Sequence, residues 1–144
     1  MSYETGPFIK VACFCDNVIE GKDNVFSLIR IVDVINHHAQ GTDVPDEMSP
    51  FPYKMKMVIM IAPGMARGRH NLKIVPENPT GLREPQNALT IIVHFEEGRA
   101  MNLIADFAFV FDHEGTYMFH VLLEDKHLTS IPLTIRFTRI ITGS

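Results

Sequence analysis

The sequence predicts an all-β domain built as a two-sheet sandwich of about eight strands, with no substantial helix. Three observations carry that prediction. Apolar and polar residues alternate at period two in run after run, the mark of strands with one buried face. Clusters of Gly, Pro, Asn and Asp punctuate those runs. Finally, Gly115-Thr116-Tyr117 has the spacing found where a sandwich chain turns from one sheet to the other.

Size and composition agree with a single domain spanning 1–144. At 144 residues and 46% apolar content the chain is neither too short for a core nor disordered. About 16 kDa of chain buries roughly 68% of its unfolded surface, so no metal or disulfide staple is required. No run approaches the ~18 apolar residues of a membrane span. The opening MSYETGPF has neither the basic nor the apolar region of a secretory leader, which sets a cytoplasmic address as the expectation. With a net charge of −4, and Arg67, Arg69, Lys73 and Arg83 as the one local gathering of cations, no nucleic-acid partner is expected.

Taken in order, Phe8 to Cys15 alternates, with Ile9, Val11, Cys13 and Cys15 on one face. Two cysteines at this spacing lie side by side and would strain a mutual bridge, so they read as small buried thiols. A turn is expected over 16–22 and a strand over 24–35, apolar on both faces except at Arg30 and Asp33. Segment 36–52, with His37, His38, Gly41 and three prolines, reads as a long loop. Tyr53, Met55, Met57, Ile59 and Ile61 then form the inward face of a strand, and 69–76 a shorter one before a second Pro-rich loop.

Leu89, Ile91, Val93 and Phe95 share parity with Met101, Leu103, Ala105, Phe107, Phe109 and Phe111. Glu96-Glu97-Gly98 between them fits a three-residue hairpin loop with Gly at the left-handed position, so these two strands are expected to pair. The next inward set is Tyr117, Phe119, Val121 and Leu123. A two-residue turn at Asp125-Lys126 and a bulge at Thr129-Ser130 bring Ile131, Leu133, Ile135 and Phe137 into phase. Pro132 cannot donate to a ladder and marks this last strand as an edge.

With the sheet-to-sheet turn at Gly115-Thr116-Tyr117 held in place, the order predicts an immunoglobulin-like sandwich in which Tyr117 forms a tyrosine corner. Strands 8–15, 24–35, 101–111 and 88–96 make one expected sheet. Strands 128–139, 116–124, 53–62 and 69–76 make the other. Trp and an inter-sheet cysteine pair, both hallmarks of antibody domains, are missing.

Four short pieces carry a finer resemblance: the strand ending in Cys15-Asp16, Ser27-Leu28-Ile29, Glu114-Gly115-Thr116-Tyr117, and Leu128-Thr129-Ser130-Ile131-Pro132-Leu133. In these the chain resembles an uncharacterised bacterial β-sandwich family, known only as a domain of unknown function. The resemblance implies a compact sandwich with no catalytic residues to carry over.

Motifs for catalysis are absent: no GxSxG, no phosphate-binding loop, no GxGxxG. The chain therefore reads as a non-enzyme without a cofactor. The alternative is a small-ligand or metal-binding protein, or an enzyme, using His37, His38, Asp43, Asp46 and Glu47 of the 36–52 loop; those side chains suit a divalent ion but lack a site-defining spacing. Apolar residues of outward parity carry more information. Val58 and Met60 on one strand, Met118, His120 and Leu122 on another, and Pro132 on the closing strand compose a candidate interface on an outer sheet face or edge. The functional expectation is a protein-interaction or assembly module that docks a partner protein or a second copy of itself.

Overall fold

The computed structural model describes residues 5–143. Among these, nine strands and one short 3₁₀ turn (Pro85–Asn87) follow in order: β1 Phe8–Glu20, β2 Phe26–Ile31, β3 Val34–Gly41, β4 Phe51–Ala62, β5 Gly68–Glu77, β6 Leu89–Phe95, β7 Met101–Phe111, β8 Gly115–Leu123 and β9 Lys126–Ile141. Sheet A has the order β2-β1-β4-β7 and sheet B the order β3-β9-β8-β5-β6. With β4 and β7 facing β6, β5, β8 and β9, this is an immunoglobulin-like sandwich, as the sequence predicts. The core lies between the sheets, where Phe14, Met57, Ile59 and Phe111 of sheet A meet Leu72, Tyr117, Phe119 and Leu133 of sheet B.

The predicted sheet membership is corrected at two strands: β4 belongs to sheet A and β6 to sheet B, the reverse of the expected assignment. Consequently the expected β6–β7 hairpin does not exist. Its turn does: Gly98 has φ +70°, and the Arg99 N–H donates to Glu96 O at 3.4 Å. That turn carries the chain from one sheet to the other. The reason is geometric. Both sheets turn one face to the same core, so two strands keep the same inward parity whether they pair or face each other across the core.

The expected 24–35 strand divides where adjacent residues bond to different sheets. The Val32 N–H donates to Phe14 O of β1 at 2.8 Å, while Asp33 O accepts from the Thr134 N–H of β9 at 2.9 Å. Beyond this crossing β3 runs parallel to β9, from Val34 opposite Thr134 to Gly41 opposite Ile141. His37 and His38 therefore lie on a strand, not in a loop. A bulge between Ile9 and Val11 also flips the face of β1, so Phe14 and Ala12 point to the core while Val11, Cys13 and Cys15 point out.

The β8–β9 hairpin forms, one residue earlier than predicted. Its turn is Glu124-Asp125, both at positive φ (47° and 64°), and the bulge falls at Leu128, between the pairs Leu122–His127 and Val121–Thr129. Nor is β9 an edge strand, since β3 and β8 flank it. Pro132 is accommodated by timing. The Thr134 N–H points toward β3, so the backbone nitrogen two residues earlier points the same way, at a level where β3 has not begun.

At the β7–β8 crossing the tyrosine corner is present. The N–H groups of Asp112 and His113 both donate to Tyr117 Oη at 3.0 Å, and the phenol donates to Asp112 Oδ1 at 2.8 Å. Gly115 is required beside it: it sits at φ +121°, and a Cβ there would meet Pro79 Cβ at 2.8 Å. Burial, reinforced by the Asp112 carboxylate, pushes the Tyr117 phenol up to about 12. Burial also pushes the Asp112 carboxyl up, but hydrogen bonds from Tyr117 and from His113 (2.7 Å) outweigh it and hold the group below its ordinary value.

Two outcomes follow for this corner. Tyr117→Phe strands two backbone N–H groups and lowers stability in urea unfolding by about 2 kcal/mol. The Asp112 contribution is present above the unfolded carboxyl value near ~4 and is lost as pH falls through the depressed folded value. The stability gap between wild type and Asp112→Ala, followed by urea titration, is therefore steady near neutrality and narrows below about pH 4. A gap that widens in acid would contradict the assignment.

Candidate functional site

The six residues singled out by outward parity do not form one patch. Val58 and Met60 lie on β4 in sheet A; Met118, His120 and Leu122 lie on β8 and Pro132 on β9, in sheet B. The two groups occupy opposite outer faces of the sandwich, because the strands expected to be neighbours belong to different sheets. Val58 and His120 are buried, Met60, Met118 and Leu122 half-buried, and Pro132 exposed.

Around Val58 the outer face of sheet A carries an apolar stripe that steps diagonally from strand to strand, bordered by the exposed Asn102 opposite Met60 and Asn17 opposite Ile29. One row runs Cys13, Val58, Ile104 over β1, β4 and β7, and the next pairs Val11 with Met60. On β2, Ile31 lies opposite Cys15 and Ile29 opposite Asn17, extending the stripe to the sheet's edge. Ile19, Ile29 and Ile31 remain 52%, 37% and 57% exposed. A Lys56–Asp106 ion pair closes the stripe on the β4–β7 side. Cys15 and Val58 have no exposed surface, yet neither belongs to the core cluster between the sheets. Burial raises both cysteine thiols above their ordinary value, so neither is a ready thiolate nucleophile or ligand.

On the outer face of sheet B, His120 organises a polar network. Its Nε2 lies 3.0 Å from Glu77 Oε1 and its Nδ1 2.7 Å from Ser130 Oγ. His127 Nε2 meets the same hydroxyl at 2.7 Å, and Arg83 Nε stands 3.5 Å from Glu77 Oε1. Donor and acceptor counting assigns the protons when both rings are neutral. A carboxylate only accepts, so His120 Nε2 carries hydrogen; Nδ1 then accepts from Ser130 Oγ–H, and Ser130 accepts from His127 Nε2–H.

Carboxylate, imidazole and hydroxyl in that order make the arrangement of an activated serine. Here, however, Ser130 is clamped from both sides by imidazoles, donating to one and accepting from the other. The cluster rises from three adjacent strands, at the row where Val75 pairs with His120 and His120 with Ser130. With His120 only 8% exposed, satisfying its two ring nitrogens is what makes its burial tolerable. Sequence reasoning placed His120 on this face but missed Glu77 and Ser130. They lie 43 and 10 residues away from it, and only the strand order brings them within reach.

Two candidate ligands of the 36–52 segment, His37 and Asp46, make other contacts. The His37 ring stacks on Phe51, with centroids 3.9 Å apart and planes 1° from parallel. Asp46 pairs with Arg139 of β9 at 3.2 Å, and the same guanidinium donates to Val44 O at 2.8 Å. Among the described residues no group of three His, Cys, Asp or Glu side chains is placed to hold a metal ion.

No protein-family model and no curated relative matches this chain. Among solved structures, an immunoglobulin-like protein from Pseudomonas aeruginosa is similar over 94% of this chain and 100% of that one, at 14% sequence identity and a TM-score of 0.43.

His120→Ala leaves the Ser130 hydroxyl and the Glu77 carboxylate without their shared partner and costs about 2 kcal/mol in thermal or urea unfolding. In a double-mutant cycle with Ser130→Ala, the two losses are less than additive by at least ~0.5 kcal/mol. Strict additivity would show that the network is not a unit.

Proposed function

We propose that this chain is a non-enzymatic protein-interaction module that docks a partner protein through the outer face of sheet A. One observation supports the reading above others: the apolar stripe that steps from Ile104 and Val58 through Cys13 and Cys15 to the exposed Ile31 and its neighbour Ile29 on β2. The outer face of a two-layer sandwich is its solvent side, and a contiguous apolar patch there signals a partner. The fitting partner presents an apolar surface whose charged rim answers Lys56 and Asp106. Met60 within the stripe supplies a side chain that adapts to it. Membership of an uncharacterised bacterial sandwich family and a cytoplasmic address belong to the same proposal; the free thiols Cys13 and Cys15 fit a reducing compartment.

The test compares affinity capture from native extract by the wild type and by an Ile29→Lys/Ile31→Lys variant of unchanged circular dichroism. Both positions are exposed, so the substitutions leave the core intact. A partner captured by the wild type and lost, by tenfold or more, with the double variant supports the face. Equal capture by both overturns it.

A further inference from the structure

We infer that β6 is a self-pairing edge, through which two copies of this chain join sheet B to sheet B across a twofold axis at Ile92. This inference does not rest on docking at sheet A. Four strands end the two sheets: β2 and β7 in sheet A, β3 and β6 in sheet B. Native edges are guarded by charge, kinks or polar side chains. β2 carries Arg30, kinked at φ +55°, and β7 carries the exposed Asp106 at its middle. β3 presents Asn36, His38 and Gln40. β6 reads LTIIVHF, with no Lys, no Pro, no formal charge and no bulge; its outward row is Thr90, Ile92 and His94, and the central Ile92, where β3 has a polar residue, is 60% exposed.

The open backbone groups of β6 can be identified. Asn71 O accepts from the Glu124 N–H at 3.0 Å and the Asn71 N–H donates to Glu124 Oε1 at 2.8 Å, so residue 71 of β5 points its polar groups toward β8. Its neighbours His70 and Leu72 therefore point toward β6, where they oppose Val93 and Ile91. By the same alternation, Thr90, Ile92 and His94 turn their N–H and C=O groups to the free edge.

Antiparallel pairing of this row with its own copy has one best register. Centred on Ile92, it sets Ile92 against Ile92 and Thr90 against His94, so that every open group meets a complement. Shifting by one residue places open groups opposite inward ones, and shifting the centre further forfeits a pair. Side chains agree with this register. Ile92 buries against its own copy, and Ile91 comes opposite Val93 along the core-facing side. Charge does not oppose it: Lys73 of one copy and Arg69 of the other lie three strand spacings apart, roughly 14 Å, beyond the ~8 Å screening length.

Light scattering on the full chain tests the inference. The wild type is expected at twice the 16.3 kDa monomer mass. Ile92→Lys, which sets two like charges face to face, and Ile92→Pro, which removes the central N–H from a free edge, are expected to halve that mass with circular dichroism unchanged. Ile92→Cys is expected to form an intermolecular disulfide on mild oxidation, while Thr90→Cys and the wild type do not. A wild-type monomer at millimolar concentration would overturn the inference. So would a dimer that survives both Ile92→Lys and Ile92→Pro, or one that cross-links through Thr90→Cys instead. A dimer dissolved only by Ile29→Lys/Ile31→Lys would assign self-association to sheet A and overturn β6 pairing.

Discussion

Tyr117 and Phe119, two residues apart on β8, fasten the sheets where the chain passes between them, and the rest of the fold depends on that fastening. The Tyr117 hydroxyl occupies the N–H groups of Asp112 and His113, fixing the crossing, while its ring packs edge-on against Phe109 and Phe111 at 5.8 and 5.1 Å. Phe119 stands where antibody domains place the second cysteine of the inter-sheet disulfide. It packs edge-on against Phe14, Phe107 and Phe109 at centroid distances of 5.1, 5.4 and 5.4 Å. Each such aromatic pair contributes about 0.5–1.5 kcal/mol beyond area burial. Aromatic packing thus replaces the covalent pin, and the sandwich holds without an oxidised cysteine pair.

The core-facing strands were legible because their signal is local. Every second residue from Tyr53 to Ile61, from Leu72 to Ile74 and from Tyr117 to Leu123 is apolar, and all of these join the core or pack on it. What alternation could not supply was sheet membership. Parity reports which side of a strand is wet, and a strand facing its predecessor across the core keeps the same parity as one paired beside it. Glu96-Glu97-Gly98 shows the ambiguity, since the same glycine at φ +70° serves a crossing as well as a hairpin. Bulges were the other blind spot: the one near Lys10 exchanges the two faces of β1, and nothing in Phe8-Ile9-Lys10-Val11 announces it.

The candidate site was legible to a lesser degree, for a related reason. Outward parity places Val58, Met60, Met118, His120, Leu122 and Pro132 outside the cluster between the sheets, but a patch requires neighbouring strands. The assumed neighbours β4 and β8 lie in opposite sheets. Pro132 misled because a missing donor indicates an unpaired level, and β9 is unpaired on one side only until β3 begins at Thr134. Glu77, His120 and Ser130 carry no spacing motif, since β5, β8 and β9 meet through long-range pairing. Their one sequence trace is a histidine at an outward position of an otherwise apolar strand.

The two proposed surfaces are geometrically compatible, and their combination has a consequence. A twofold axis between antiparallel edge strands stands perpendicular to the sheet, so equivalent residues of the two copies emerge on the same side. Joining β6 to β6 therefore keeps both sheet B outer faces, with their His120 networks, on one side of the assembly. Both sheet A faces, with Ile29 and Ile31, then point together to the other. Neither surface consumes the other, because the stripe ends at β2 while the pairing edge belongs to the opposite sheet. An assembly so built presents two copies of one apolar face in a common direction. Toward a partner with repeated sites such an assembly would gain an avidity up to ~10²–10⁴ above the single-face affinity without any new contact, provided the spacing allows both faces to engage. Edge pairing would in that way convert a weak single-face contact into a strong one, and this links the proposed β6 edge to the proposed docking face of sheet A.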